Sequence, residues 1–221
     1  MSFHPTTNVT ASLVLFVVIL AGSITGLSST SEQWQPEPVR DRVIETVKST
    51  PAFISKSLAD NMKMVFAIGR EVGNPETLQA ILLKETSGGT SILIGNRNSP
   101  VGKRSYGVMQ VQVVAARSVL QRYPKVFARY FPNRTYNSVL DEEVIALLLT
   151  NNEANIRIAA HHFQLYLSLC EGDWEKAVAA YNAGIGAVQN IAVPAEFQYV
   201  IDVKNKIETI VRPFNDKHGL S

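Results

Sequence analysis

Glu85 stands where an apolar side chain is due. Leu78, Ile81, Leu82 and Glu85 fall at i, i+3, i+4 and i+7, the spacing of one helix face. Three of them are large and apolar, and the fourth is a carboxylate. A carboxylate among apolar groups must be paired or neutral, because ionising it there is costly. Lys84 is adjacent, but one residue turns about 100° around a helix, which makes it a poor partner. A glutamate in an apolar cleft has a raised pKa. It stays protonated near neutral pH and can give its proton to a leaving oxygen. Cleavage of a glycosidic bond needs that step. The competing reading is that Glu85, in a last helical turn, simply reaches solvent.

Two further segments hold groups suited to a polar ligand. In "SYGVMQ", Ser105 to Gln110, Gly107 suggests a close backbone approach or a positive φ. Met109 offers an apolar contact and Gln110 a two-way hydrogen-bonding amide; Ser105 and Tyr106 precede them. In "AAYNAG", Ala179 to Gly184, Tyr181 and Asn182 sit among small residues. Tyr181 has an apolar body and a phenolic tip, a shape that can hold a carboxyl in a pocket or pack in a core beside Trp174.

The elements that must position these groups are helical. "ISKSLADNMKMVFAIGREVG" is an amphipathic helix stopped by Gly73. Asn74-Pro75-Glu76 is a helix start, with an N-cap side chain, a ring that pre-sets φ and an acid in the first turn. That helix carries Glu85 and ends at Gly88-Gly89. Residues 88–107 form a loop with room for one short strand at "SILI". Helices are then expected at "VQVVAARSVLQRY", at Lys125 to Tyr130 and at Asp141 to Leu149. A central buried helix follows at "NEANIRIAAHHFQLYLSLC", with Ile156, Ala160, Phe163 and Leu167 on one stripe. Asp173 can cap the next helix, and the last runs from Pro194 to Val211. The expected fold class is all-α, with at most a short strand or hairpin in the 88–107 region.

E-T-S-G-G, S-Y-G-V-M-Q, an N-I-x-x-A helix at Asn155-Ile156, and A-Y-N-A-G occur in that order. In this the chain resembles the soluble lytic transglycosylase (SLT) family, relatives of goose-type lysozyme, over about Asn74 to Ile210. The resemblance implies an α-rich lysozyme-like fold and a lone catalytic glutamate, which falls on Glu85. It implies sugar-cleft contacts at Ser105, Tyr106, Gly107, Met109, Gln110, Tyr181 and Asn182, with the tyrosine near the glutamate. Where the family often reads E-S-G-G, Thr86 here stands between Glu85 and Ser87. Thr86 is then expected to supply the hydroxyl, with Ser87 beside it. The loop Thr90 to Arg104 departs from the family's N-P-x-A pattern.

The implied substrate is the β-1,4 bond between N-acetylmuramic acid and N-acetylglucosamine in peptidoglycan. Glu85 would act as acid and then base, leaving a 1,6-anhydro end without consuming water. The alternatives are a muramidase of the same fold and a non-catalytic glycan-binding scaffold of an envelope machine. No cofactor and no metal is implied. His161 and His162 are adjacent, so their side chains diverge, and structural roles suit them better than metal ligation. Glu142, Glu143 and Glu153 are the candidates for a second carboxylate, each in a helix's first turn.

The remaining features bear on location and partners. Hydrophobic residues make up 46% of the 221, and there is one cysteine, Cys170, so no disulfide framework forms within one chain. Glu32 and Glu37 are the only acids before Arg40, the first base, so the rest carries 21 bases against 17 acids. That mild excess suits an acidic polymer but is no nucleic-acid footprint. Residues 11–27, "ASLVLFVVILAGSITGL", read as a signal-peptide core or as a short uncleaved anchor; no Lys or Arg precedes them. "SSTSEQWQPEP" is linker-like. The expected organisation is a signal or anchor at 1–30, a linker at 31–39 and a catalytic domain at 40–221. The protein is expected to be exported to the periplasm or cell envelope, with glycan strands, a membrane tether through 11–27, and secretion, conjugation or phage machinery as partners.

Overall fold

The computed structural model describes residues 58–89, 94–95, 98–189 and 196–220. The expected signal or anchor, the linker, the boundary at Arg40 and the first residues, Ile54 to Ser57, of the first expected helix lie outside them.

Helix α1, Leu58–Val72, buries Met62, Val65, Phe66 and Ile68 and turns charged residues outward. It stops as expected at Gly73, whose N–H meets the Gly69 carbonyl at 2.6 Å. Helix α2, Pro75–Thr86, begins at the predicted proline, but Asn74 does not cap it with its side chain. Asn74 lies in the left-handed region at φ 60°, which asparagine tolerates, and its carbonyl accepts the Leu78 N–H at 3.1 Å. Gly69 lets the two helices cross closely, since a Cβ there would lie 2.5 Å from Pro75 Cα. Every residue from Thr77 to Leu83 is buried. A helix buried on all sides over two turns belongs inside a protein. Glu85 therefore leaves the interior because it sits at the helix end, not because it lies on a polar face.

A small antiparallel sheet follows, ordered β1 (Ile94–Gly95), β2 (Ser105–Tyr106), β3 (Val111–Gln112). Two-residue strands keep the fold α-rich. The third strand takes Val111 and Gln112 from what periodicity reads as a helix start. The hairpin pairs Ser105 with Gln112 and Tyr106 with Val111, so α3 begins only at Val113 and ends at Arg122.

Helices α4 (Pro124–Tyr130) and α5 (Asp141–Thr150) lead to α6, Asn152–Leu169. Ile156, Ala160 and Phe163 of its predicted stripe are fully buried, as are Ala154, Ile158 and Ala159. Helix α7, Trp174–Ala183, is capped by Asp173, which accepts the Lys176 N–H at 3.0 Å. A short α8, Ile185–Val188, follows.

The last predicted helix begins only at Gln198, its expected start at Pro194 lying outside the described residues, and it extends further than expected. Helix α9, Gln198–Lys206, passes through a π-helical turn, Ile207–Val211, into α10, Arg212–His218. Pro213 cannot donate to the preceding turn, and the widened turn lets the chain pass the ring. Asn215 then reaches the core, where its amide and that of Gln79 exchange two hydrogen bonds of 2.9 Å, 136 residues apart. Gln79 also donates to the Met62 carbonyl at 3.1 Å, so three helices share one buried polar knot.

Candidate active site

The last turn of α2 presents Glu85 to a cleft of about 570 Å³. The helix closes at Ser87, in the left-handed region at φ 51°, and Gly88 and Gly89 continue with positive φ. Thr86 is fully buried and its hydroxyl is committed to backbone. It donates to the Val108 carbonyl at 2.7 Å and accepts the Gly89 N–H at 2.8 Å. Thr86 thus fastens the helix end to the hairpin instead of offering its hydroxyl to the cleft. Ser87 is exposed on the turn. Asn61, from α1, holds the same turn by donating to the Gly88 carbonyl at 2.8 Å.

The segment around Gly107 is held from two sides. Gly107 has φ 75°, and a Cβ there would meet the Leu148 carbonyl at 2.2 Å and the Asn155 amide at 2.3 Å. Asn155, fully buried, donates to the Tyr106 carbonyl at 2.9 Å and accepts the Met109 N–H at 2.8 Å. From the other side the Tyr181 hydroxyl donates to the Met109 carbonyl at 2.8 Å. Both polar groups of Met109 are thereby fixed by side chains from α6 and α7. This brings the four sequence segments together through hydrogen bonds: Thr86 to Val108, Asn155 to Tyr106 and Met109, and Tyr181 to Met109.

Of the predicted site residues, Glu85, Ser105, Gln110, Tyr181 and Asn182 line the cleft. Thr86, Tyr106, Gly107 and Met109 are buried in the wall behind it. Tyr106 donates to the Val101 carbonyl at 3.0 Å, so its polar end also serves the wall. Gln110 has φ 51° and turns its amide back to the Gly107 carbonyl at 2.9 Å. Its oxygen occupies the space a Cβ on Gly95 would need, at 2.2 Å, which packs β1 against the turn.

Tyr199, on α9, is the residue that sequence reasoning missed. Its hydroxyl donates to Glu85 Oε1 at 2.5 Å. Burial raises the Glu85 pKa above the ordinary carboxylate value, while the Tyr199 hydrogen bond and the Lys84 charge oppose that rise. Tyr199 and Tyr181 are both pushed well above the usual phenol range, first by burial and then by the charge of Glu85. Both phenols therefore stay protonated beside the carboxyl. In the sequence, Tyr199 stands between Gln198 and Val200 on an ordinary amphipathic helix. Only its 114-residue separation from Glu85 being closed by the fold gives it a role.

The cleft's other arm is aromatic and apolar. His162 lines it, 4.3 Å from the Tyr166 ring and 6.1 Å from the Tyr181 ring. Burial pushes the His162 pKa down to about 4, so the ring is neutral at physiological pH. His161 packs on Tyr123, with ring centroids 4.3 Å apart, away from that arm. Among the described residues that line the cleft, Glu85 is the one carboxylate. Glu153 is engaged instead by Tyr130 at 2.7 Å and by Arg157 at 2.8 Å. Glu143 caps Leu140 at 2.8 Å and pairs with Arg134, and Glu142 is exposed in the same first turn.

A helical fold with a small hairpin sheet, and a lone half-buried glutamate ending a central helix at a cleft, define the α-rich lysozyme-like class. A family model described as the Transglycosylase SLT domain matches residues 65–195, more than half of the chain, and the chain belongs to that family. No curated protein and no solved structure matches it. The family is one of transglycosylase-type enzymes acting on peptidoglycan.

Proposed function

We propose that this protein is a lytic transglycosylase that cleaves the bond between N-acetylmuramic acid and N-acetylglucosamine. The observation that carries this is Glu85: a carboxyl held toward its protonated form by burial, bonded to a phenol, and facing the cleft. A group in that state gives a proton to the bridging oxygen, and the C1–O bond breaks as the leaving sugar takes it. The charge developing at C1 is met by the substrate's own N-acetyl oxygen, which bonds to C1. Glu85, now ionised and stabilised by the Tyr199 hydroxyl, removes the proton of the C6 hydroxyl. The C6 oxygen bonds to C1 and displaces the acetyl oxygen. Glu85 ends protonated again, and the product is a 1,6-anhydro ring.

Digestion of purified peptidoglycan followed by mass spectrometry tests this. The expected muropeptides lack one water mass relative to hydrolysis products. Products that all carry the water would make the protein a muramidase of the same fold. The substrate lies outside the cytoplasm, so the reading includes export, with residues 1–30 as signal or anchor and a membrane or an envelope-spanning machine nearby. Sequencing the amino terminus of the mature protein checks this. A chain that starts near residue 30 shows cleavage, one that starts at Met1 in a membrane fraction shows an anchor, and one that starts at Met1 in the cytosol defeats export.

A further inference from the structure

We propose that the Lys84–Asp202 ion pair is a positioning device that sets the proton affinity of Glu85. It rests on the reading of Glu85 as the acid. Lys84 precedes Glu85 on α2, and Asp202 follows Tyr199 by one turn on α9. The two charges meet directly, so the bridge ties the same two helices that the Tyr199–Glu85 bond ties. Gln198 donates to the second Asp202 oxygen at 2.8 Å, which fixes the carboxylate for Lys84. The Lys84 ammonium lies 5.9 Å from the centre of the Tyr199 ring.

The placement matters because Lys84 is the cation that acts on Glu85. The groups facing Glu85 are the Tyr199 hydroxyl from α9, the Tyr181 hydroxyl from α7, and Lys84 from its own helix. His162 from α6 and Gln110 from the hairpin line the same cleft, the first neutral and the second uncharged. An unpaired ammonium beside Glu85 would favour the carboxylate and weaken the acid. Asp202, paired with that ammonium, opposes its field while leaving the clamp. The pair therefore keeps Glu85 bonded to Tyr199 without making it too acidic to donate.

The two halves of the pair predict opposite effects. Asp202→Asn leaves Lys84 uncompensated and lowers the Glu85 pKa. Lys84→Met leaves Asp202 uncompensated and raises it. Each shift is on the order of half a pH unit, the size of a partly screened charge near a surface. The double variant returns close to the parent value. If the pair were only a strut, both single variants would loosen the helices and hydrate Glu85, and both would move it down toward the ordinary carboxylate value.

The test is a ¹³C NMR titration of the Glu85 carboxyl, identified by its loss in Glu85→Gln, alongside the pH profile of kcat/KM on purified peptidoglycan. Tyr199→Phe calibrates it by removing a bond that favours the carboxylate, and should move Glu85 up. Opposite shifts for Asp202→Asn and Lys84→Met support the proposal. Shifts in the same direction, or none, overturn it. Opposite NMR shifts in a parent protein without lytic activity would sink the functional reading and leave the electrostatic one standing. Lytic activity with unmoved titrations would do the reverse.

Discussion

Glu85→Gln is expected to lower peptidoglycan clearing by about 10³-fold or more, the scale of losing a positioned general acid that also serves as base. The amide is isosteric and still accepts the Tyr199 hydrogen bond, so the fold and the cleft remain. It cannot donate a proton of the right acidity, and it cannot take one back. The same change is expected to stabilise the protein at neutral pH. Burial raises the Glu85 pKa in the folded chain. Between the unfolded and the folded pKa the native state therefore binds more protons, and its stability falls as pH rises. Glutamine has no charge to bury, so the variant escapes that loss. The stability gap between variant and parent should close again below the unfolded carboxylate pKa, near pH 4.5. Zymography together with urea denaturation at pH 4 and pH 7 measures both effects. A variant that clears the gel as well as the parent removes Glu85 from the chemistry. A parent that clears nothing but binds glycan strands is the scaffold.

Asn155→Ala is expected to cost about 3–5 kcal/mol of stability and most of the activity. It strands two buried backbone groups, the Tyr106 carbonyl and the Met109 N–H. Each unmet group costs about 1–3 kcal/mol, and the deleted side chain leaves a hole besides. A typical domain has about 5–15 kcal/mol in all, so the variant is near the edge of folding. Asn155→Asp makes the sharper comparison. It keeps the shape and can still accept the Met109 N–H, but it sets a second acceptor against the Tyr106 carbonyl and buries a charge. It should be at least as damaging as alanine at neutral pH. A denaturation midpoint for either variant close to the parent's would show that the Gly107 turn stands without this amide.

Much of this fold was legible in periodicity and punctuation. Gly73, Pro75, Asp173 and the stripe Ile156, Ala160, Phe163 act where their chemistry says they should, because each works within one turn of helix. Asn74 does not, since its left-handed backbone leaves the helix without a side-chain cap; its carbonyl makes only the first intrahelical bond, to the Leu78 N–H. Val111 and Gln112 fit a helical period yet form a strand, because two residues leave no period to see. The helix continues past the expected end at Val211 through a π turn, which is not written in any one residue. The site divides in the same way. Glu85 stood out as a charge in an apolar series, which is a local signal. Tyr199 offered none, because its role exists only across a gap that the fold closes. Thr86 and Met109 belonged to recognisable segments, yet their groups face the wall: a motif records which residues are needed, not which side of the wall they serve.

The amide pair of Gln79 and Asn215 has a consequence for changes in α10. Without that helix the Gln79 amide would keep only the Met62 carbonyl, inside the helix that bears Glu85. Damage to α10 should therefore be felt at the carboxyl through the interior, with no residue of the cleft touched.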